Sequence, residues 1–280
     1  MIGGILTAMV TPFDRDGELD EDAFVRLIHH LLDNGSDGLV ITGSTGEGAT
    51  LTDEEKVRLW ELGVAESGDA PVIAGTGTYD TRHSVELTER AAEAGVDFAL
   101  VVTPYYVRPT REGIKRHYEA VAEVGLPIVA YNIPSRTATD MPNDLLAELA
   151  QIDRVVAVKQ ARYEDIAPIE GLDLLAGNDD VFAETLDAGG TGIISVASHL
   201  VGRELRREID EPDRRHEIQE GLRDLFEALT VTTNPIPVKA ALGLIGINVG
   251  GLRLPLVEAS EEEKAVLRAA LERHELLAAV

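Results

Sequence analysis

Residues 71–103 read PVIAGTGTYDTRHSVELTERAAEAGVDFALVVT, and this stretch decides the fold. It opens with a short apolar run, Pro71–Gly75, and closes with another, Phe98–Thr103. Both runs are nearly continuous in apolar character rather than alternating. That is the pattern of parallel strands buried on both faces. Between them, Thr81–Ala94 has the pattern of a helix. Asp80 or Thr81 can cap its first turn, and Gly95 suits the left-handed residue that ends many helices. Strand, helix and strand within about 30 residues make a βαβ unit.

The unit repeats in both directions. Further apolar runs are Gly4–Val10, Gly38–Thr42, Leu126–Tyr131, Val155–Lys159, Leu174–Gly177 and Gly192–Val196, giving eight candidate strands. Asp22–Leu32 is amphipathic, with Phe24, Leu27, Ile28, Leu31 and Leu32 on one face. Eight βα units in roughly 200 residues is the count of an α/β (β/α)8 TIM barrel. An open doubly wound sheet usually has fewer strands and a glycine-rich phosphate turn after the first. Here the first strand runs into Thr11-Pro12-Phe13. From Glu211 onward the pattern is helical only: Arg214–Leu229, Pro237–Gly243 and Glu261–Leu277. Residues 1–210 are therefore expected to form the catalytic barrel, and residues 211–280 an appended C-terminal helical layer.

Composition narrows the function. Hydrophobic residues make up 44% of 280, enough for a substantial core. Cysteine is absent, which excludes disulfides and Cys-ligated zinc. No apolar run approaches the roughly 20 residues that span a bilayer. Met1 to Val10 has neither a basic region nor a small-residue cleavage site, so it does not read as a signal peptide and a cytoplasmic enzyme is expected. The formal net charge of −25 argues against a nucleic-acid partner, which requires clustered Lys and Arg. Asp20-Glu21-Asp22 and Glu261-Glu262-Glu263 fall where helices should begin and oppose the positive end of the dipole. None of the seven histidines forms a His-x-x-x-His pair, so no metal site is expected.

In such a barrel the chemistry sits at the C-terminal ends of the strands. Those ends here are rich in hydroxyls and glycines, with one lysine. Of the five lysines, Lys56, Lys115, Lys239 and Lys264 lie on helical segments, and only Lys159 ends an apolar β run. A lysine there enters a partly desolvated mouth. Desolvation disfavours the ammonium, and a neutral amine can attack a ketone to form an imine. The alternative is a lysine that snorkels outward. Tyr131 ends the preceding strand, so its phenol can approach the amine and shuttle protons; alternatively it is a core tyrosine. Thr45 and Tyr106 can extend a hydroxyl relay or simply satisfy turns. Gly43-Ser44-Thr45-Gly46-Glu47 offers N–H groups and two hydroxyls just before a helix, an arrangement suited to a small carboxylate. Arg136, in a loop over the mouth, can hold a second carboxylate or remain an exposed surface residue.

Several segments together resemble the dihydrodipicolinate synthase / N-acetylneuraminate lyase family of class I aldolases. They are Leu6–Phe13, Gly43–Glu47, Thr103-Pro104-Tyr105-Tyr106, Tyr131-Asn132-Ile133-Pro134, Val158-Lys159, Asn234–Lys239 and Leu252–Pro255. The resemblance implies that Lys159 forms the imine with pyruvate and that Tyr131 shuttles protons. It implies that Thr45 links Tyr131 to Tyr106, which reaches in from a neighbouring subunit. Ser44 and Thr45 would hold the pyruvate carboxylate, with the backbone at Gly177 and Ile194 lining the same pocket. Arg136 matches the synthase branch, in which the acceptor is L-aspartate 4-semialdehyde and the product feeds lysine and diaminopimelate biosynthesis. The closest rival is a pyruvate aldolase acting on a 2-keto-3-deoxy sugar acid or N-acetylneuraminate. The family also implies a homotetramer built as a dimer of dimers, and no cofactor beyond the lysine imine.

Three departures carry expectations. Gln160 stands where the family usually has an acidic residue, and strand alternation turns it away from the barrel interior. The segment between Lys159 and Gly177 is short and contains Arg162-Tyr163-Glu164-Asp165. In lysine-inhibited members, a cleft near a tyrosine pair holds lysine with an amide and a carboxylate. Those positions are Tyr79 and His83 here, and a histidine of that cleft corresponds to Lys56. Losing a carboxylate and gaining a cation predicts weak or absent inhibition by lysine.

Overall fold

The structure is a computed structural model that describes residues 2–277. Its eight strands are β1 (Gly4–Ala8), β2 (Gly38–Ile41), β3 (Val72–Gly75), β4 (Phe98–Val102), β5 (Ile128–Asn132), β6 (Val155–Gln160), β7 (Asp173–Ala176) and β8 (Gly192–Ser195). They close in sequence order into a parallel barrel in which β8 pairs with β1. The expected α/β barrel is the one observed; five of the eight apolar runs contain their strand, and β5, β6 and β7 each overrun theirs by one residue, Asn132, Gln160 and Asp173.

The surrounding helices are α1 (Glu21–Asp33), α2 (Asp53–Glu66), α3 (Thr81–Ala94), α4 (Arg111–Ala122), α5 (Pro134–Thr137), α6 (Asn143–Leu149), α7 (Phe182–Asp187) and α8 (Ser198–Asp210). Local chemistry sets their ends. Asp80 caps α3 by accepting from the N–H groups of Arg82 and His83, and Gly95 closes it at φ 86°. Thr52 and Glu55 form a capping box on α2. One helix expected from the count of units is missing: residues 161–172, between β6 and β7, form an irregular loop. That segment holds Pro168 and charged residues and lacks the apolar periodicity a helix needs.

Beyond Asp210 come α9 (Arg215–Leu229), α10 (Ile236–Leu244) and α11 (Glu261–Arg273). Leu222, Leu225, Leu267 and Leu271 join the same core cluster as Ile5, Trp60 and Ile193 of the barrel layers, so the apolar core continues across Asp210. No helix among the described residues is long and apolar enough to cross a membrane.

Strand alternation sorts the barrel residues. Leu6, Ala8, Val40, Ile73, Leu100, Val129, Ala157, Leu175 and Ile194 fill the interior, and Tyr131 belongs to that cluster. Two residues beyond Val129 and Ala157, on the same inward faces, come Tyr131 and Lys159. They are direct partners in the β5–β6 register.

Candidate active site

Tyr131 and Lys159 meet at the C-terminal mouth of the barrel. The Lys159 Nζ lies 4.3 Å from the centroid of the Tyr131 ring, and both residues are buried. Above them opens a cavity of about 410 Å³, lined by Ser44, Thr45, Tyr131, Arg136, Lys159 and Gly177, with Tyr163, Asp179, Asp180, Val196 and Asn234 at its walls. Residues Arg223, Phe226 and Leu229 of α9 close another side, so the helical extension contributes directly to the site.

Burial alone does not single out Lys159, because Lys56 and Lys239 are buried as well. The difference is pairing. Lys239 Nζ lies 2.6 Å from Glu47 Oε1, and both side chains are almost fully enclosed. Burial pulls the Lys239 ammonium below its ordinary range, and Glu47 opposes that pull. Lys56 Nζ lies 3.2 Å from Asp53 Oδ1. Lys159 makes no hydrogen bond or ion pair among the described residues; it acts on the Asp179 carboxylate only through space. A buried amine with no partner is available to a substrate carbonyl.

The loop between β2 and α2 carries the hydroxyls. Its backbone doubles back with Thr42 at φ 59° and Glu47 at φ 54°, conformations that side chains normally avoid. Three hydrogen bonds hold it there. Trp60 Nε1 donates to Thr42 Oγ1 at 2.8 Å. Glu47 accepts from Lys239 Nζ and, at 3.0 Å, from the N–H of Arg253. A Cβ on Gly48 would lie 2.1 Å from the Thr42 carbonyl oxygen, so only glycine fits there. Sequence reading missed Glu47 and Lys239 as supports of the site, since a lysine in a helical tail reads as solvated.

The two hydroxyls are placed differently. Ser44 is exposed and lines the main cavity and also a second one of about 310 Å³, each time with Tyr131. Thr45 is buried, and its Oγ1 accepts from Asn234 Nδ2 at 2.9 Å. The backbone carbonyl of Asn234 also accepts from Arg136 Nη2 at 3.1 Å. Arg136 therefore reaches the cavity from α5, a one-turn helix rather than the open loop expected, stopped by Ala138 at φ 54°.

Asp179 occupies the β7 end. Its carboxylate accepts from Ser195 Oγ and from the N–H groups of Val196 and Ala197, at 3.2 and 3.0 Å. Burial pushes its carboxyl above the usual range, and those hydrogen bonds counter the push. The bonds fix the backbone just past β8. Ile194 packs inside the barrel, and the cavity wall at this point is Val196, just past β8.

Tyr106 does not join this group. It lines neither cavity, is 89% exposed and sits at φ 70°. The next residue, Val107, and Tyr79 are also exposed. Tyr105 turns inward instead, edge-on to Tyr79 with centroids 5.6 Å apart.

The second cavity is lined by Asp53, Lys56, Tyr79, His83 and Tyr105. Its one carboxylate is already engaged: Asp53 Oδ2 meets His83 Nε2 at 2.8 Å while Oδ1 meets Lys56. Burial works to raise the Asp53 carboxyl, but the hydrogen bonds from His83 and Lys56 outweigh it and hold the group below its usual range. Among the described residues, no group of three or more His, Asp or Glu is placed to hold a metal ion.

Comparison with known proteins agrees with this geometry. The model of the Dihydrodipicolinate synthetase family matches residues 1–274. A 4-hydroxy-tetrahydrodipicolinate synthase of Desulforudis audaxviator is 44% identical, covering 98% of both chains. Among solved structures, a dihydrodipicolinate synthase of Cyanidioschyzon merolae with lysine bound superposes with a TM-score of 0.95 at 38% identity, covering 98% of this chain and 99% of that one. The chloride-inhibited enzyme of Acinetobacter baumannii, complexed with pyruvate, gives a TM-score of 0.94 at 33% identity, covering 99% and 100%.

Proposed function

This chain belongs to the dihydrodipicolinate synthetase family, and from that premise we infer the work of each residue in its cavity. The protein is a lyase that joins pyruvate to L-aspartate 4-semialdehyde, giving 4-hydroxy-tetrahydrodipicolinate for lysine and diaminopimelate biosynthesis. The observation that carries the mechanism is Lys159, buried and unpaired, with its Nζ over the Tyr131 ring at the barrel mouth.

Lys159 Nζ attacks the ketone carbon of pyruvate. Tyr131 delivers a proton to the departing oxygen, water leaves, and an imine remains. Loss of a methyl proton gives the enamine, whose carbon attacks the aldehyde. The acceptor's amino group then displaces Lys159 and closes the ring. Thr45 and Ser44, backed by the N–H groups of their loop, hold the pyruvate carboxylate. We assign the link between Tyr131 and a neighbour's Tyr106 to Ser44 in preference to Thr45. Ser44 shares both cavities with Tyr131, whereas the Thr45 hydroxyl is tied to Asn234. The lysine imine serves in place of any cofactor. We further propose a homotetramer, a dimer of dimers working in the cytoplasm; the exposed Tyr79, Tyr106 and Val107 support a subunit contact at this face.

The functional test is product formation from pyruvate with aspartate semialdehyde, set against cleavage of keto-deoxy sugar acids and N-acetylneuraminate. Faster sugar-acid cleavage would overturn the reading. Arg136 decides between them, because only the semialdehyde presents a short carboxylate there. Arg136→Ala removes a charge-assisted pair, which should weaken semialdehyde binding by about 10- to 100-fold. Pyruvate binding should change far less; equal loss for both substrates would make Arg136 structural.

The second cavity bears on regulation. Free lysine brings two ammonium groups to a cleft whose carboxylate already serves His83 and Lys56. A titration of activity with lysine should show no half-inhibition below about a millimolar, the level reached by roughly 4 kcal/mol of binding. Inhibition at micromolar lysine would mean that Asp53 releases its partners.

A further inference from the structure

We propose that Arg162 and Asp140 form a clasp that positions the acceptor half of the cavity, so that Arg162 is a positioning residue for aspartate semialdehyde and not for pyruvate. The proposal rests on the functional reading above.

Two loops build that half. The first, residues 133–140, carries Arg136. Asn132, fully buried at the end of β5, pins its base. Asn132 Nδ2 donates to Asp140 Oδ1 at 2.9 Å, and its Oδ1 accepts from the N–H of Met141 at 3.0 Å. The second loop follows β6 and carries Tyr163 into the cavity wall. Gln160, the register partner of Asn132, joins the two loops from below. Its Oε1 accepts from Asn132 Nδ2 at 3.0 Å and from the N–H of Arg162 at 3.3 Å. A neutral amide therefore serves both loops at the position where the family usually carries an acid.

Arg162 joins them from above. Its guanidinium donates to Asp140 Oδ2 at 2.8 Å, to Asp165 Oδ2 at 3.2 Å and to the carbonyl of Glu164 at 3.0 Å. The side chain is only 12% exposed. Asn143, at the start of α6, donates to the carbonyl of Asp165 at 3.0 Å, a further tie between the loops. An ordinary surface ion pair contributes little because its partners stay solvated and mobile. Here the guanidinium is enclosed although its acidic partners are not, and it forks between Asp140 of the first loop and Asp165 of the second. One Asp140 oxygen accepts from Asn132 at the end of β5 and the other from Arg162 in the second loop. Releasing that carboxylate frees Arg136 and Tyr163 together, while Lys159 and Tyr131 stay fixed by the sheet. Loss of precise placement is costly in a site where orientation matters.

The test measures KM for each substrate, kcat and borohydride trapping of pyruvate in the wild type, Arg162→Ala, Asp140→Asn, Arg162→Lys and the Arg162→Ala/Asp140→Asn double variant. Either of the first two substitutions should raise the semialdehyde KM by about 5- to 30-fold. Pyruvate KM and trapping should stay within about twofold. The double variant should be no worse than Arg162→Ala, because one interaction has been removed twice. Arg162→Lys should recover part of the loss. Unchanged semialdehyde KM in an active enzyme, equal rises for both substrates, or additive losses would each overturn the clasp. If Arg162→Ala does not fold, Asp140→Asn and Arg162→Lys decide by the same criteria. A wild type without activity on the semialdehyde would instead defeat the functional reading, and the clasp with it.

Discussion

Lys159→Ala should lose turnover by about a thousandfold or more, since it removes the only covalent route through the site. The loss should fall on kcat, because the hydroxyl loop and Arg136 remain to hold both substrates. The variant should fold. Truncating Lys159 leaves no orphaned partner, as its ammonium has no hydrogen bond or ion pair among the described residues. The buried Lys239 is the control. Lys239→Ala leaves the buried Glu47 carboxylate with only the Arg253 N–H, so it should destabilise the fold and loosen the hydroxyl loop, yet borohydride should still trap pyruvate on Lys159 in the folded fraction. An Lys159→Ala variant that still turns over within tenfold would remove the covalent mechanism.

The second large effect concerns assembly. Tyr106→Phe should lower kcat by about 10²- to 10⁴-fold, the usual worth of a positioned proton donor. Yet Tyr106 lines neither cavity described above and is 89% exposed. On the proposed reading its hydroxyl acts in a neighbour's site. Two inactive proteins, Tyr106→Phe and Lys159→Ala, should therefore rescue one another when mixed and reassembled. In a mixed pair, the subunit with intact Lys159 receives intact Tyr106 from its partner, and the reverse site is dead. Random pairing makes half the dimers mixed, with one working site in two, so activity should return to about a quarter of wild type per subunit. Mixed oligomers with no recovery would place Tyr106 elsewhere in the mechanism.

The barrel was legible because parallel strands buried on both faces leave unbroken apolar runs, and because Asp80 and Gly95 mark helix ends by local chemistry alone. Lys159 and Tyr131 were legible for the same reason: alternation along a strand fixes which face a side chain takes. Three features were not. The missing helix between β6 and β7 was counted from the regularity of its neighbours, although residues 161–172 carry no helical period. Lys239 read only as part of the helical tail, because burial by a partner distant in sequence, here Glu47, leaves no local trace. Arg162 stood out only as a departure. Its clasp on Asp140 depends on two loops meeting in space, and no pattern in either loop encodes that meeting. Gln160 was placed correctly off the barrel interior, but its service to Asn132 and Arg162 emerged only with the strand register.

The most direct measurement is to incubate the wild-type protein with pyruvate and borohydride and to map the modified peptide by mass. The account predicts one reduced pyruvyl group per chain, on Lys159. Labelling on Lys56, Lys115, Lys239 or Lys264, or no labelling at all, would contradict it.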